Sequence, residues 1–142
     1  MRQFLVLTCL ATLTALSATA QPVDLAADLG KPLNAEQFDA RTQGRTITYS
    51  AQGQPYGTEQ YKPGHKVIWA FTQSECKEGD WFQSDEFICF DYGDFVPLQC
   101  WTFYDSPQGL VAKFRGDPDS EPLVSLSESQ DPLSCQGPDL GV

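Results

Sequence analysis

The chain has 142 residues and a net charge of -10, with 9 basic side chains against 19 acidic ones. That length suits one domain, and a pI near 4.3 argues against binding to nucleic acid or anionic lipid, both of which call for clustered Lys and Arg. Composition argues equally against disorder, because 41% hydrophobic and 12% aromatic residues are enough to build a core.

Residues 1–20 read as a secretory signal. Arg2 supplies the positive start, Phe4 to Leu16 is a short apolar stretch, and Ala18-Thr19-Ala20 is a small-residue cleavage site ahead of Gln21. The expected product is exported, periplasmic or secreted, with no stable membrane insertion once the signal is cleaved. Cys9 leaves with the signal, and Cys76, Cys89, Cys100 and Cys135 remain. Four cysteines in an oxidising compartment imply two disulfides. A four-thiolate zinc site is disfavoured because no C-x-x-C spacing is present.

Residues 21–32 lack periodicity and read as a flexible arm. A helix is expected over 35–43. Asn34 caps it, Gln37 completes a capping box, Leu33 and Phe38 are placed as a hydrophobic staple, and Gly44 ends it. Beyond Gly44 the pattern alternates. Strands are expected over 46–50, 56–61, 66–72, 81–83, 86–92, 98–104, 110–114 and, more weakly, 123–127. Gln52-Gly53-Gln54-Pro55, Lys62-Pro63-Gly64, Glu78-Gly79 and Ser106-Pro107-Gln108-Gly109 read as turns between them. After Ser127 an irregular tail is expected, held by Cys135.

No segment between strands is long enough for a parallel crossover, so the sheet should be antiparallel. About eight short strands suit an all-β, small up-and-down barrel with a short N-terminal helix, forming a single disulfide-stapled domain over 33–142. Alternation places Cys89 opposite the Ile88/Phe90 face and Cys100 opposite the Trp101/Phe103 face. If the aromatic faces share the core, the two cysteines can meet across a hairpin, leaving Cys76 for Cys135. The two other connectivities remain open on the sequence alone.

Few residues suggest chemistry. His65 follows Pro63-Gly64 and reads as a solvated turn residue, since no nucleophile elbow accompanies it. Asp117, Asp119 and Glu121 alternate as calcium-loop oxygens do, but the central glycine is missing and Pro118 and Pro122 stiffen the segment. Asp91 and Asp94 flank Gly93 as turn residues. No catalytic constellation and no cofactor or metal motif stands out, so an enzyme is not expected. The aromatic residues are more informative: Trp69, Phe71, Trp81, Phe90, Trp101 and Phe103 crowd the middle strands. They either fill the barrel or line a cup for one small apolar molecule, with Tyr56 and Tyr61 near its mouth. Ala70 and Ala112 are the small residues that could leave space.

The runs Gly44-Arg45-Thr46-Ile47-Thr48-Tyr49, Gly53-Gln54-Pro55-Tyr56-Gly57-Thr58-Glu59-Gln60-Tyr61, Gly79-Asp80-Trp81, Ile88-Cys89-Phe90, Gln99-Cys100-Trp101 and Cys135-Gln136-Gly137-Pro138 resemble a group of small exported alphaproteobacterial proteins over about 33–142. More loosely, the chain is similar to small lipocalin-like barrels in which a G-x-W turn precedes a strand bearing one cysteine and the next strand bears its partner. The resemblance implies an up-and-down barrel and supports the Cys89–Cys100 pairing. It implies no activity. The expectation is a non-enzymatic binding protein for a small apolar ligand, with Trp69, Trp81, Trp101, Phe90, Phe103, Tyr56 and Tyr61 as candidate lining. The alternative is a protein-binding module, an inhibitor or accessory subunit for a basic envelope protein, using the arm and the acidic surface.

Overall fold

Alternation leaves each strand with one apolar face, and a single sheet hides all of those faces only by curling round a shared interior. The computed structural model describes residues 29–71, 76–115, 117 and 119–135. A helix α1 (Ala35–Thr42) precedes eight strands: β1 (Thr46–Ala51), β2 (Gln54–Lys62), β3 (Lys66–Phe71), β4 (Lys77–Ser84), β5 (Phe87–Asp91), β6 (Gln99–Ser106), β7 (Gly109–Phe114) and β8 (Leu123–Ser129). Each strand runs antiparallel to the next and β8 pairs back with β1, closing an up-and-down barrel that leaves no open edge. The signal expected at 1–20 lies outside the described residues, as do residues 21–28 of the expected arm.

The helix forms for the reasons its sequence suggests. Asn34 Oδ1 accepts from the Gln37 N–H at 2.9 Å, and Gln37 Oε1 accepts from the Asn34 N–H at 3.1 Å, satisfying two donors that a helix start otherwise leaves free. Gly44, with φ of 76°, turns the chain into β1. Phe38 is fully buried and inserts among the rings of Tyr61, Trp81, Phe90 and Phe103, with centroids 4.5–6.3 Å away. Those partners belong to four different strands, so α1 lies across one end of the barrel and plugs it. The Leu33 N–H donates to the Phe103 carbonyl at 2.7 Å and the Ala35 N–H to Gln83 Oε1 at 2.6 Å. Arg41 bonds Glu128 at 2.5 Å and Asp105 at 3.1 Å. The guanidinium holds the Glu128 carboxyl below the usual carboxylate range.

One expected turn is absent. Glu78-Gly79 lies inside β4, where Gly79 pairs with Val67. A Cβ on Gly79 would sit 2.5 Å from the Asp91 carbonyl oxygen and 2.7 Å from Tyr92 Cδ1. The glycine therefore marks a close approach within a strand rather than a reversal. His65 is an exposed turn residue, as expected, and its ring also stacks on Trp81 with centroids 3.9 Å apart.

Cys89 and Cys100 face each other across β5 and β6 and are bonded, as are Cys76 and Cys135. Two disulfides fit an oxidising compartment, and among the described residues no helix is long and apolar enough to cross a membrane. β8 continues to Ser129, two residues beyond the expected strand. The tail then crosses the outside of β1 and β2, where the Asp131 carbonyl accepts from Thr46 Oγ1 and the Leu133 N–H donates to Gln60 Oε1, before reaching Cys76.

The two bridges should differ in worth. Cys76–Cys135 spans 59 residues and Cys89–Cys100 spans 11. Loop closure then gives about 4 kcal/mol for the first and about 3 kcal/mol for the second. Guanidinium unfolding of the double variants C76S/C135S and C89S/C100S should show the larger loss for the long loop.

Candidate functional site

Above the packed layer around Phe38 the barrel is hollow. A cavity of ≈ 220 Å³ opens at the end opposite α1. Its floor is made by Tyr61, Phe90 and Phe103, the same rings that cover Phe38. Tyr49, Glu59, Trp69, Tyr92, Gln99 and Trp101 form the wall with Ala112 and Leu123, and Tyr56, Phe71, Lys77 and Val96 surround the mouth. An apolar void of about 150 Å³ is already enough to hold one benzene, so this space accommodates a body of one or two rings.

Local backbone features aim these side chains. Tyr49 pairs with Gly57 but Ser50 with Pro55, which leaves Tyr56 as the extra residue of a β-bulge. Strict alternation would point Tyr56 outward; the bulge re-aims it over the mouth. There its ring meets Phe71 at 5.7 Å and Trp69 at 6.1 Å. Gly57 clears the way for Trp69, since a Cβ there would lie 2.3 Å from the indole. Gly79 does the same for Tyr92.

The wall contains one buried carboxylate. Glu59 is 3% exposed and shares the inward face of β2 with Gly57 and Tyr61. Its Oε2 accepts from the Tyr92 hydroxyl at 2.9 Å, and its Oε1 is buried without a hydrogen-bond partner. The Tyr49 and Tyr61 hydroxyls bond one another at 2.7 Å. Burial, only partly offset by the Tyr92 bond, pushes the Glu59 carboxyl up to about 8. Burial likewise pushes the phenols of Tyr49, Tyr61 and Tyr92 upward, the neighbouring Glu59 adding to it in each, so all three stay protonated near neutrality.

Six of the seven candidate lining residues read from the sequence meet around this cavity: Trp69, Trp101, Phe90, Phe103, Tyr56 and Tyr61; Tyr56 is at the mouth as expected, but Tyr61 lies buried in the floor against Phe38. Trp81 does not. Its ring lies in the layer beneath, between Phe38 and His65. Of the two small residues, Ala112 lines the cavity and Ala70 faces away on the other side of β3. Glu59 was not anticipated, although its signal is in the sequence: a charged residue two positions from Tyr61, on the parity that faces the barrel interior. The acidic segments have local roles. Asp91 Oδ1 accepts from the Gly93 N–H and Asp117 Oδ1 from the Asp119 N–H, closing turns.

No protein-family profile, curated protein or solved structure matches the chain.

Glu59 should leave a mark on stability. In the unfolded chain its carboxyl titrates near 4.5, whereas in the folded chain it titrates near 8. Between those values the folded protein holds a proton that the unfolded chain releases, so its contribution to the unfolding free energy falls as pH rises through that window. Denaturant titrations between about pH 5 and 8 should show this decline, and Glu59→Gln should remove it.

Proposed function

We propose that the protein is an exported, non-enzymatic binding protein that holds one small, largely apolar molecule in the open half of its barrel. The observation that carries this reading is the cavity itself: a preformed concave space walled by aromatic rings, with a few convergent polar groups. An eight-stranded barrel is narrow enough for side chains to fill it completely, and in this chain they fill only the half occupied by Phe38. The composition of the lining supports binding over chemistry. Among the described residues it contains no Ser, Thr, Cys or His, and its only ionisable groups there besides tyrosines are Glu59 and Lys77. Export is supported by the signal-like start of the sequence and by the two disulfides.

A neutral apolar dye tests the reading. N-phenyl-1-naphthylamine should brighten on mixing with the disulfide-bonded protein and quench the emission of Trp69 and Trp101 in the cavity wall. Ala112→Leu, which directs three further carbons into the void, should weaken dye binding at least tenfold without lowering the melting temperature. A dye-silent protein, or undiminished binding by Ala112→Leu, would remove the cavity as the site.

A further inference from the structure

We infer that the ligand of the cavity is a primary amine on an aromatic or short apolar body, its ammonium group bound by Glu59 Oε1. This inference rests on the cavity being a ligand site and specifies what enters it.

The first support is an unmet demand. Glu59 is 97% withdrawn from solvent (3% exposed), lines the cavity, and has one oxygen on Tyr92 and the other on nothing. Among the described residues it makes no ion pair, and the lining's single cation, Lys77, is an exposed residue at the mouth. A buried carboxyl oxygen without a hydrogen-bond partner is a costly arrangement in either protonation state. A ligand that supplies both a donor and a positive charge relieves it most fully, because charge-assisted hydrogen bonds are roughly twice as strong as neutral ones.

The second support is the surrounding wall. The rings of Tyr49, Tyr61, Trp69 and Tyr92 line the same space as the carboxylate, and aromatic faces attract ammonium groups most strongly when water is excluded. The third is the long-range field: a chain of net charge -10 draws cations towards a cleft and repels anions. A divalent metal fits poorly, since hard cations need several oxygen ligands and no cluster of three or more metal-ligating side chains exists among the described residues.

Burial keeps the empty site's Glu59 protonated near neutrality. An arriving ammonium keeps its own charge, the Glu59 carboxyl releases its proton to solvent, and the resulting carboxylate accepts from the ammonium N–H. The other titratable groups facing the cavity are Tyr49, Tyr56, Tyr61, Lys77 and Tyr92. Amine affinity should therefore rise from about pH 6 to about pH 8, with a proton released on binding.

Calorimetry with two matched ligand series tests the assignment: 2-phenylethylamine, 2-phenylethanol and phenylacetate, and tryptamine with its alcohol and carboxylate counterparts. At about pH 8 one of the amines should bind at least tenfold more tightly than its alcohol, and the acid should bind worst. Near pH 7, amine titrations in buffers of different ionisation enthalpy should report proton release. Glu59→Gln should bring the amine within about threefold of the alcohol, and a cooperative thermal unfolding transition measured in parallel shows that the variant is folded. Alcohols that bind as tightly as the amines, or an amine preference that survives Glu59→Gln, would overturn the assignment and leave the cavity reading intact. Acids that bind best would do the same and make Glu59 a protonated donor instead. Failure of all six compounds at millimolar concentration would overturn the cavity reading itself, and this inference with it.

Discussion

The interior of an eight-stranded barrel is a fixed volume, and the side chains must either fill it or leave part of it empty. In this protein one aromatic residue from outside the sheet divides that volume. Phe38 enters from α1 and touches rings on β2, β4, β5 and β6. The contact is simultaneously the anchor of the helix, the plug of one barrel end and the underside of the cavity floor. The capping box at Asn34, the Arg41 pairs with Glu128 and Asp105 and the Ala35–Gln83 bond all hold the helix where that ring can enter. No equivalent element covers the opposite end among the described residues. Tyr56, Phe71 and Lys77 remain exposed there, although all three line the cavity.

Keeping the other half hollow depends on where side chains are withheld. Gly57 and Gly79 are on inward-facing positions, and each lets a neighbouring ring lie across its strand: Trp69 over β2 and Tyr92 over β4. The rings thus lie along the wall rather than across the void. Tyr92 gains a second consequence from that placement, because its hydroxyl reaches Glu59. The same glycine that shapes the wall also fixes the one hydrogen bond the buried carboxylate has. A bulge does comparable work for Tyr56, re-aiming it by inserting one residue between paired positions.

These features explain what could and could not be read from the chain. The helix follows from local groups, Asn34, Gln37 and Gly44, and the existence of each strand from period-two alternation, but strand ends are less legible: β4 starts at Lys77, four residues before the expected strand. The same alternation carried across a hairpin lets Cys89 and Cys100 meet, as they do, without excluding the other two connectivities. Gly79 misleads because a glycine beside a glutamate has the composition of a turn; its actual role depends on Tyr92, thirteen positions later. Trp81 misleads for a related reason. It shares the inward face with the lining residues, but depth along the barrel decides between the packed layer and the cavity, and alternation carries no information about depth. Glu59 is the reverse case. Its parity was readable, but its significance appears only when strand closure surrounds it with rings and withholds a partner from Oε1.

That carboxylate also gives the acidity of the chain a second meaning. Acidic side chains in turns and on the outer surface need no explanation beyond solubility, and several close turns through their own carboxyl oxygens. Glu59 differs because it is placed where charge is least tolerated, against apolar rings and away from water, at a cost that Gln or Leu at the same position would avoid. Local choices that oppose stability are concentrated at functional sites. A helix, two glycines and a bulge together keep a space open around one underbonded carboxyl group. The surface field favours cations near the barrel, and the cavity adds a buried carboxyl group, protonated near neutrality, among aromatic faces.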